Sequence, residues 1–347
     1  MGVAIGSLIK EYKQEFKLTK EFKLKKFGFD SYNILYQFLT SIRGIDGEPL
    51  KNLNGEVTSH LNGLFYRLLN LMTNNIDLYF VFDGKSNYLK QKTKDRRQNL
   101  KEKAKEKLEQ ATIDGNMPDI FKFSRQIVSL NKKIINESKE LLLAMGVSYI
   151  DAPSEAEAQI SYMTSKGILD YTVSQDYDSL LFNSPNLLRN LTVSGKKKIP
   201  YKNIYIDIQP EIIYSKELFE KLNISREKLI WLSILIGTDF NDKVEGIGPK
   251  TALKIVKEYN SFEDINSYLK SKNKNVSFDY KEIQDIFLNP NINKNPEIIK
   301  GKFDENKIRN ILIDKANFSE ERINNTLNKF IIEKEEKEKQ KSLSKWF

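Results

Sequence analysis

The sequence contains no cysteine and a single histidine, His60, among its 347 residues. Without cysteine the fold cannot depend on disulfide bonds. We interpret His60 as a polar residue at the start of a helix, so the chain has no set of nitrogen or sulfur ligands typical of zinc or copper sites. A metal held by this chain would therefore be bound through oxygen, which favours magnesium or manganese.

Long apolar runs are also missing, since no stretch approaches the length needed to cross a bilayer and the first residues do not resemble a signal peptide. We therefore expect no membrane association and an intracellular, cytoplasmic location. Positive charge is abundant: 56 Lys and Arg stand against 47 Asp and Glu, for a net charge of +9. This excess favours an acidic partner, above all a nucleic acid.

Two pairs of carboxylates lie near the middle of the chain, and in each pair one residue separates the acids. Glu155 and Glu157 open an apolar-periodic segment, which predicts the first turn of a helix. Asp176 and Asp178 follow a short β-rich run and so stand at the exit of a strand. Ordinary explanations exist for both, because Ser154 with Glu157 fits a helix capping box and the two aspartates suit a turn.

Three further acids stand in a similar setting. Asp30 ends the strand-like run 26–30, Asp83 ends the run 76–83, and Asp239 ends an apolar helix. Strands that alternate with helices predict an α/β fold with a mostly parallel central sheet, in which ligands gather at the carboxyl ends of the strands. The strand-end aspartates would then converge on one crevice, which the two glutamates enter from a helix start.

So many carboxylates in one crevice would repel each other unless cations lie between them. Two hard divalent cations at such a site suit the hydrolysis of phosphodiester bonds. Two other classes compete with this interpretation. A non-catalytic junction-binding protein would have an incomplete set of acids. An aspartyl-phosphate phosphatase needs Asp-x-Asp after its first strand, whereas Asp30 is followed by Ser31 and Tyr32.

The composition changes after Asp83, where residues 88–110 hold nine Lys or Arg and four acids. The pattern is helical but poor in apolar residues, which is typical of a solvated face. Because such a helix is marginal alone, it could also order on binding phosphate. Residues 114–118 should break it, and a return helix is expected from Ile120 to Met145.

Residues 225–260 predict a pair of helices joined by a glycine-containing loop. Gly246 and Gly248 would let backbone amides approach an anion, with the N-terminus of a helix beginning at Lys250 behind them. Such a module holds a duplex by its backbone without reading bases. Before it, residues 183–210 predict strands joined by a basic turn at 194–198, with Arg189 as a candidate phosphate contact.

The last residues form a charge run, which predicts a flexible tail over 333–347. Two large aromatic residues close it, and exposed clusters of this kind usually mark a partner, although most termini are simply frayed. The motif consists of Gln340, Leu343, Trp346 and Phe347.

Together these features resemble the flap endonuclease family, and its archaeal members most. The resemblance extends over nearly the whole chain and rests on the seven acids and on the motifs Phe82-Asp-Gly-Lys85, 152–158 and 246–250. It implies a PIN-like 5′ nuclease core with flanking helices as a single domain over 1–332. A helical arch over 88–135 and a helix-two-turn-helix module over 225–260 would belong to this domain. The family also implies two Mg²⁺ ions, replaceable by Mn²⁺, held by Asp30, Asp83, Glu155, Glu157, Asp176, Asp178 and Asp239.

The resemblance further implies roles for basic and aromatic residues. Lys90 and Arg97 would reach the scissile phosphate, and Tyr36, otherwise a half-buried surface tyrosine, would stack on a base. A potassium ion at the 246–250 loop is also implied, although Lys243 replaces a small polar residue found in some members. The tail would bind a sliding clamp (PCNA). The expected function is cleavage of flap DNA in replication, as in Okazaki fragment processing, and repair, by a chain that is a monomer alone. A related 5′ exonuclease or junction resolvase remains an alternative.

Overall fold

The computed structural model describes residues 2–19, 22–192, 195–198, 205–274 and 276–343, with backbone alone for 195–198, 205–206 and 337–343. The strands within these residues are β1 Gln14–Glu15, β2 Lys26–Asp30, β3 Asp77–Phe82, β4 Ser148–Asp151, β5 Tyr171–Val173, β6 Asn186–Arg189, β7 Gly195–Lys198, β8 Tyr205–Ile208 and β9 Glu211–Tyr214.

The α-helices in the same described residues surround these strands. They are α1 Gly6–Ile9, α2 Ser31–Ser41, α3 Ser59–Met72, α4 Gln91–Ile113, α5 Met117–Gln126, α6 Lys132–Ala144, α7 Ala156–Ser165, α8 Asp178–Leu181, α9 Ser215–Leu222, α10 Arg226–Ile236, α11 Pro249–Glu258, α12 Phe262–Ser271, α13 Tyr280–Leu288, α14 Glu305–Arg309 and α15 Glu320–Leu343. A π-helical stretch, Asn310–Lys315, follows α14.

Seven strands form the main sheet in the order β1-β9-β6-β5-β2-β3-β4. The five strands from β6 to β4 are parallel, whereas β9 pairs antiparallel with β6 and β1 pairs antiparallel with β9. Because β2 lies between β5 and β3, the chain leaves β2 in one direction and later returns to its other side. This is the place in a parallel sheet where a crevice opens beyond the strand ends.

Both faces of the sheet are buried, which explains the nearly continuous apolar sequences of its central strands. On one face Phe29 stacks on Phe80 with ring centroids 5.0 Å apart, in a core that α2, α3, α6 and α15 complete. Val81, between Phe80 and Phe82 on β3, belongs instead to a core with Ile150 and α7. A third core joins α1 and α8 to the helices α10 to α13.

The basic segment after β3 forms the long helix α4, which packs against α5 through a small cluster of Leu108, Ala111 and Ile120. We call α4 and α5 the arch. The prediction of one return helix over 120–145 was wrong, because the return consists of α5 and α6. The second begins anew after Asn131, whose side chain accepts a hydrogen bond from the Ile134 N–H at 2.9 Å.

Three other segments differ from the sequence interpretation. Residues 195–198 form strand β7, paired with β8, rather than a turn. Helix α10 ends at Ile236, so Asp239 lies in the loop after the helix instead of on it. Helix α15 continues through the charge run to Leu343, where we expected a flexible tail.

Repeated Glu and Lys residues three or four apart support a helical backbone in this run. Trp346 and Phe347 lie outside the described residues, as do the side chains of Gln340 and Leu343. Among the helices of the described residues, none is both long and apolar enough to span a membrane.

Candidate active site

The seven acids occupy the carboxyl-terminal edge of the parallel sheet and the helix starts beside it. Asp30 is the last residue of β2, Asp83 follows β3, and Asp176 and Asp178 follow β5. Glu155 is the N-cap of α7, Glu157 lies in its first turn, and Asp239 lies between α10 and α11. We call this group the acid crevice.

Electrostatic interactions show that the acids of the crevice are neighbours. Asp30 interacts with Asp83, Asp176 and Glu155. Glu157 interacts with Asp178, Asp30 and Asp176, and Asp178 in turn interacts with Asp239. The structure therefore brings together all seven acids that the sequence singled out.

Burial is the main cause of the raised pKa values of four acids in the crevice. It raises the pKa of Asp83 to about 6, with a further contribution from Glu155. Burial likewise raises the pKa of Asp178 to about 7, although the hydrogen bond from Val3 opposes it, and Asp176 and Asp239 add to the rise. Burial and neighbouring acids also raise the pKa of Asp30 and of Glu157 well above the usual range. Negative charge is therefore disfavoured here unless cations compensate it.

The donor set fits hard divalent cations, because every candidate ligand is a carboxylate oxygen. Among the described residues, however, no three acidic or histidine side chains already enclose a single point as a finished metal site. Several carboxylate oxygens instead accept hydrogen bonds from main-chain amides and from basic side chains.

The first residues of the chain help to hold the crevice. The Gly2 N–H donates to Asp176 Oδ1 at 2.9 Å, and the Val3 N–H donates to Asp178 Oδ1 at 2.7 Å. A Cβ atom at Gly2 would lie 2.7 Å from the Cβ of Asp176, so only glycine fits this approach. Sequence reasoning missed these contacts, because no local pattern links residue 2 to residue 176.

Two uncharged side chains, also missed from the sequence, connect the acid-bearing segments. The Ser174 hydroxyl donates to Glu157 Oε1 at 2.9 Å and accepts from the Asp176 N–H at 3.2 Å. Asn33 donates through Nδ2 to Asp176 Oδ2 at 3.0 Å. Ser174 is fully buried, so its contacts are shielded from water.

Basic residues at the root of the arch reach into the crevice. Lys90 forms an ion pair with Glu155, and its Nζ lies 4.0 Å from Asp239 Oδ2. Burial disfavours its charge, but Glu155, Asp239 and Asp83 outweigh burial and raise the pKa of Lys90. Arg97 donates to Asp239 Oδ1 at 2.6 Å. Both predicted cations thus lie beside the acids.

The aromatic candidate Tyr36 is on α2 and is 38% exposed. Burial raises the pKa of its hydroxyl, whereas Arg97 and Arg43 act in the opposite direction, which places Tyr36 close to the root of the arch. Its partial exposure leaves one part of the ring available for contact.

The loop between α10 and α11 has the open backbone that an anion needs. Gly246 has φ +72°, and a Cβ at Gly248 would meet nothing within 4 Å. Gly248 is the N-cap of α11, and Lys250 is exposed in its first turn. A second lysine, Lys274, donates to the carbonyl of Glu245 at 2.5 Å. The loop thus combines backbone amides with two ammonium groups.

Two residues considered from the sequence have structural partners. Arg189 donates to the Gln175 carbonyl at 3.1 Å and pairs with Glu211 at 2.6 Å, so its guanidinium is used within the protein rather than offered to phosphate. His60 is fully buried next to Glu137, with 3.1 Å between Nε2 and Oε2.

Comparison with known proteins gives the family. The model of the XPG N-terminal domain matches residues 1–104, and that of the XPG I-region matches residues 146–239. Flap endonuclease 1 of Picrophilus torridus is 46% identical over 347 residues, covering 100% of both chains. The chain belongs to the flap endonuclease 1 family. Flap endonuclease 1 of Sulfolobus acidocaldarius is 42% identical over 348 residues and 99% of both chains.

Solved structures agree with this family. Flap endonuclease-1 from Methanococcus jannaschii aligns with a TM-score of 0.73 at 36% identity, over 97% of this chain and 100% of that one. The catalytic core of Rad2 in complex with DNA substrate aligns at 0.69 with 21% identity, over 95% and 100%, which shows the shared fold. The predicted family, fold class and enzyme class are confirmed: flap endonuclease 1 proteins are metal-dependent nucleases that hydrolyse DNA phosphodiester bonds.

Proposed function

We propose that this flap endonuclease 1 family member cuts the 5′ flap of branched DNA at the junction between single strand and duplex, with two Mg²⁺ ions in the acid crevice. The observation that carries the proposal is the meeting of seven acids with the basic root of the arch. The same chemistry would serve Okazaki fragment processing in replication, and repair. We propose that the shape of the junction, rather than its base sequence, is the specificity determinant, because contacts to the phosphate backbone carry no sequence information.

The residues that would hold the two ions are Asp30, Asp83, Glu155, Glu157, Asp176, Asp178 and Asp239. When bound, such ions activate a water molecule and neutralise the leaving oxygen in phosphodiester hydrolysis. The chain itself supplies the burial that keeps the carboxylates apart from bulk water. Its amides and uncharged side chains orient the acids, as at Asp178 and Asp176. Mn²⁺ should replace Mg²⁺, because both prefer oxygen ligands.

Lys90 and Arg97 would act on the phosphate. In the protein alone they neutralise Glu155 and Asp239. With these acids compensated by cations, the two basic groups would be available to a phosphate in the crevice. They would then stabilise negative charge that develops during cleavage, which is where fixed cations have their largest effect on rate. Tyr36, beside them, would stack on a base next to the cut.

The duplex would be held by the loop between α10 and α11. Gly246 and Gly248 expose backbone amides to phosphate, and Lys250 adds charge at a helix N-terminus. A potassium ion at this loop is part of the proposal, although Lys243 stands at a position where some family members have a small polar residue. The proposed organisation is one nuclease domain over 1–332 that acts as a monomer.

The test is a cleavage assay on a double-flap DNA with an internal label, in Mg²⁺, in Mn²⁺ and in EDTA. We expect one main cut near the junction in either metal and none in EDTA. A blunt duplex and a four-way junction of the same sequence serve as controls. Preferential digestion of the blunt end would indicate a 5′ exonuclease, and preferential cutting of the four-way junction would indicate a resolvase.

The C-terminal motif of Gln340, Leu343, Trp346 and Phe347 would bind the sliding clamp. A tether of this kind raises the local concentration of the nuclease at the junction without new contacts at the active site. Deletion of residues 340–347 should leave cleavage without clamp unchanged and abolish stimulation by the cognate clamp. Phe347→Ala should reproduce most of the loss, whereas Ser344→Ala, between the motif positions, should not. Full stimulation of the truncated chain would refute the proposal.

A further inference from the structure

We infer that Asn33 is a positioning residue that joins two acid-bearing segments and thereby sets the metal affinity of the crevice. The inference rests on the proposed metal-binding role of Asp176. Asn33 itself is uncharged, and neither the motifs nor the family comparisons assign it a role. It lies in the first turn of α2, three residues after Asp30.

Three hydrogen bonds connect Asn33 to both segments. Its main-chain N–H donates to Asp30 Oδ1 at 3.1 Å, which caps α2. Its side-chain Nδ2 donates to Asp176 Oδ2 at 3.0 Å, and its Oδ1 accepts from the Gln175 N–H at 3.2 Å. One residue therefore fixes both the backbone and the carboxylate of the loop after β5 relative to the end of β2.

The partners determine which way the amide faces. A main-chain N–H can only donate, so the Asn33 oxygen must face Gln175, and this leaves the Asn33 nitrogen facing Asp176. Aspartate at this position would lose the donor, and leucine, of similar size, would lose both partners. The interaction thus depends on the amide group and not on the volume of the side chain.

Asp176 is held on both sides by this arrangement. Gly2 donates to one carboxylate oxygen and Asn33 to the other, so the plane of the carboxylate is set by two elements that are distant in sequence. Loss of the Asn33 amide would leave the carboxylate free to rotate about the Gly2 contact. Partners that orient metal ligands in this way typically change metal affinity or activity by about 10- to 100-fold when they are removed.

The test compares Asn33→Leu with Gln37→Leu on the same helix. Gln37 accepts a hydrogen bond from the Thr192 hydroxyl at 2.7 Å, so its replacement also removes a side-chain hydrogen bond from α2. Two readouts are needed. The first is the rise in melting temperature during titration with MnCl₂ without DNA, and the second is the Mg²⁺ concentration for half-maximal flap cleavage.

For Asn33→Leu we expect the metal concentration at half-saturation to be at least roughly 10-fold higher than for the unmodified protein in both readouts. This is the size of effect found for other residues that orient metal ligands. The Gln37→Leu protein should keep the half-saturation of the unmodified protein, even if its melting temperature is lower. If Asn33 only stabilised α2, both variants would lose stability with metal dependence unchanged, which would overturn the inference. Asn33→Ala provides a second substitution should the leucine variant fail to fold.

Asp176→Ala in the same titrations separates this inference from the proposed function. If Asp176→Ala bound metal like the unmodified protein, the metal assignment itself would fail. If Asp176→Ala were impaired and both Asn33 variants stayed within twofold of the unmodified protein, only the positioning role of Asn33 would fail.

Discussion

The acid crevice and the arch lie next to each other but are built in opposite ways. The crevice is lined by buried groups such as Asp30 and Asp178, at 7% and 6% exposure, and stands at the end of a sheet covered on both faces. In the 23-residue helix α4 of the arch, only Thr93, Ala104, Leu108 and Ala111 are buried. The conformation of the acid crevice is therefore fixed by the folding of the core, whereas the conformation of the arch depends on the few contacts that it makes.

This difference assigns separate tasks to the two regions. Buried, hydrogen-bonded carboxylates are suited to hold ions in a constant geometry, because few alternative positions are open to them. A helix with a small apolar cluster opens at low free energy, so its conformation can change when a ligand binds. We therefore expect substitutions in the crevice to act on chemistry, and substitutions away from the root of the arch to act on local order.

The largest effect is expected for Asp176→Ala. Loss of a metal ligand should lower the cleavage rate constant by several orders of magnitude, which corresponds to several kcal/mol of barrier. DNA affinity should persist or increase, because a negative charge facing phosphate is removed. Single-turnover cleavage and a binding titration with the same flap measure the two quantities. Cleavage near the unmodified rate would contradict the two-metal assignment.

The next largest effect concerns the root of the arch, where the two regions meet. Lys90→Ala and Arg97→Ala should each slow cleavage by about 100-fold while changing DNA affinity much less, because their charges act on the developing charge of the phosphate. By contrast, Lys250→Ala should weaken duplex binding and reduce the salt dependence of affinity by up to roughly one unit of slope. If all three variants lost only affinity, the division between chemistry and binding would be wrong.

The crevice should also make stability depend on pH in a direction opposite to that of ordinary salt-bridged acids. The pKa of Asp83 is raised to about 6 and that of Asp178 to about 7, so between pH 4 and 7 the folded protein binds more protons than the unfolded chain. Stability of the metal-free protein should therefore fall as pH rises through this range. One pKa unit corresponds to about 1.4 kcal/mol, so the loss amounts to a few kcal/mol.

Melting curves in EDTA from pH 4.5 to 8 test this expectation, and Mg²⁺ should restore stability most at the high-pH end. Asp178→Asn, which cannot ionise, should flatten the profile. If the melting temperature in EDTA instead rose with pH through this range and Asp178→Asn left it unchanged, ionisation of the acids in the crevice would not destabilise the protein.

The smallest effect on the whole molecule is expected within the arch. Leu108→Ala should reduce the packing of α4 on α5 by roughly 2 kcal/mol, at the lower end for buried leucines. Faster amide exchange should be confined to α4 and α5, with little change in melting temperature. Leu64→Ala, in the main core, should lower global stability instead. Equal global destabilisation by both substitutions would mean that the arch folds as part of the core.

The sequence predicted the crevice well because a parallel sheet brings strand ends together. Asp30, Asp83 and Asp176 each follow a β-rich run, so their meeting required only the α/β pattern. The capping box suggested by Ser154 is absent, since the Ser154 hydroxyl donates to the Lys85 carbonyl at 3.2 Å. A local sequence pattern does not show that the Lys85 carbonyl, in another loop, will take the Ser154 hydroxyl as its hydrogen-bond donor.

Contacts between distant segments were beyond the reach of sequence patterns. Asn33 lies 143 residues from Asp176, and no periodicity connects the two. The break between α5 and α6 was missed for a related reason, because residues 127–131 contain neither glycine nor proline and a helical pattern continues on both sides. There the cap at Asn131 and the packing of Val128 on Leu39 and Ile134 decide the structure.

The pairing of β1 with β9 also means that the main sheet is completed late in synthesis. Gln14 and Glu15 can pair only after Ile212 and Glu211 have been synthesised, and the Gly2 N–H can donate to Asp176 only after that residue has been synthesised. At translation rates of about 5–20 residues per second, roughly 10–40 s separate the first residues from their strand partners. A nascent chain bearing β2 and β3 thus has two of its acids but no assembled crevice, so nuclease activity arises only late on the ribosome.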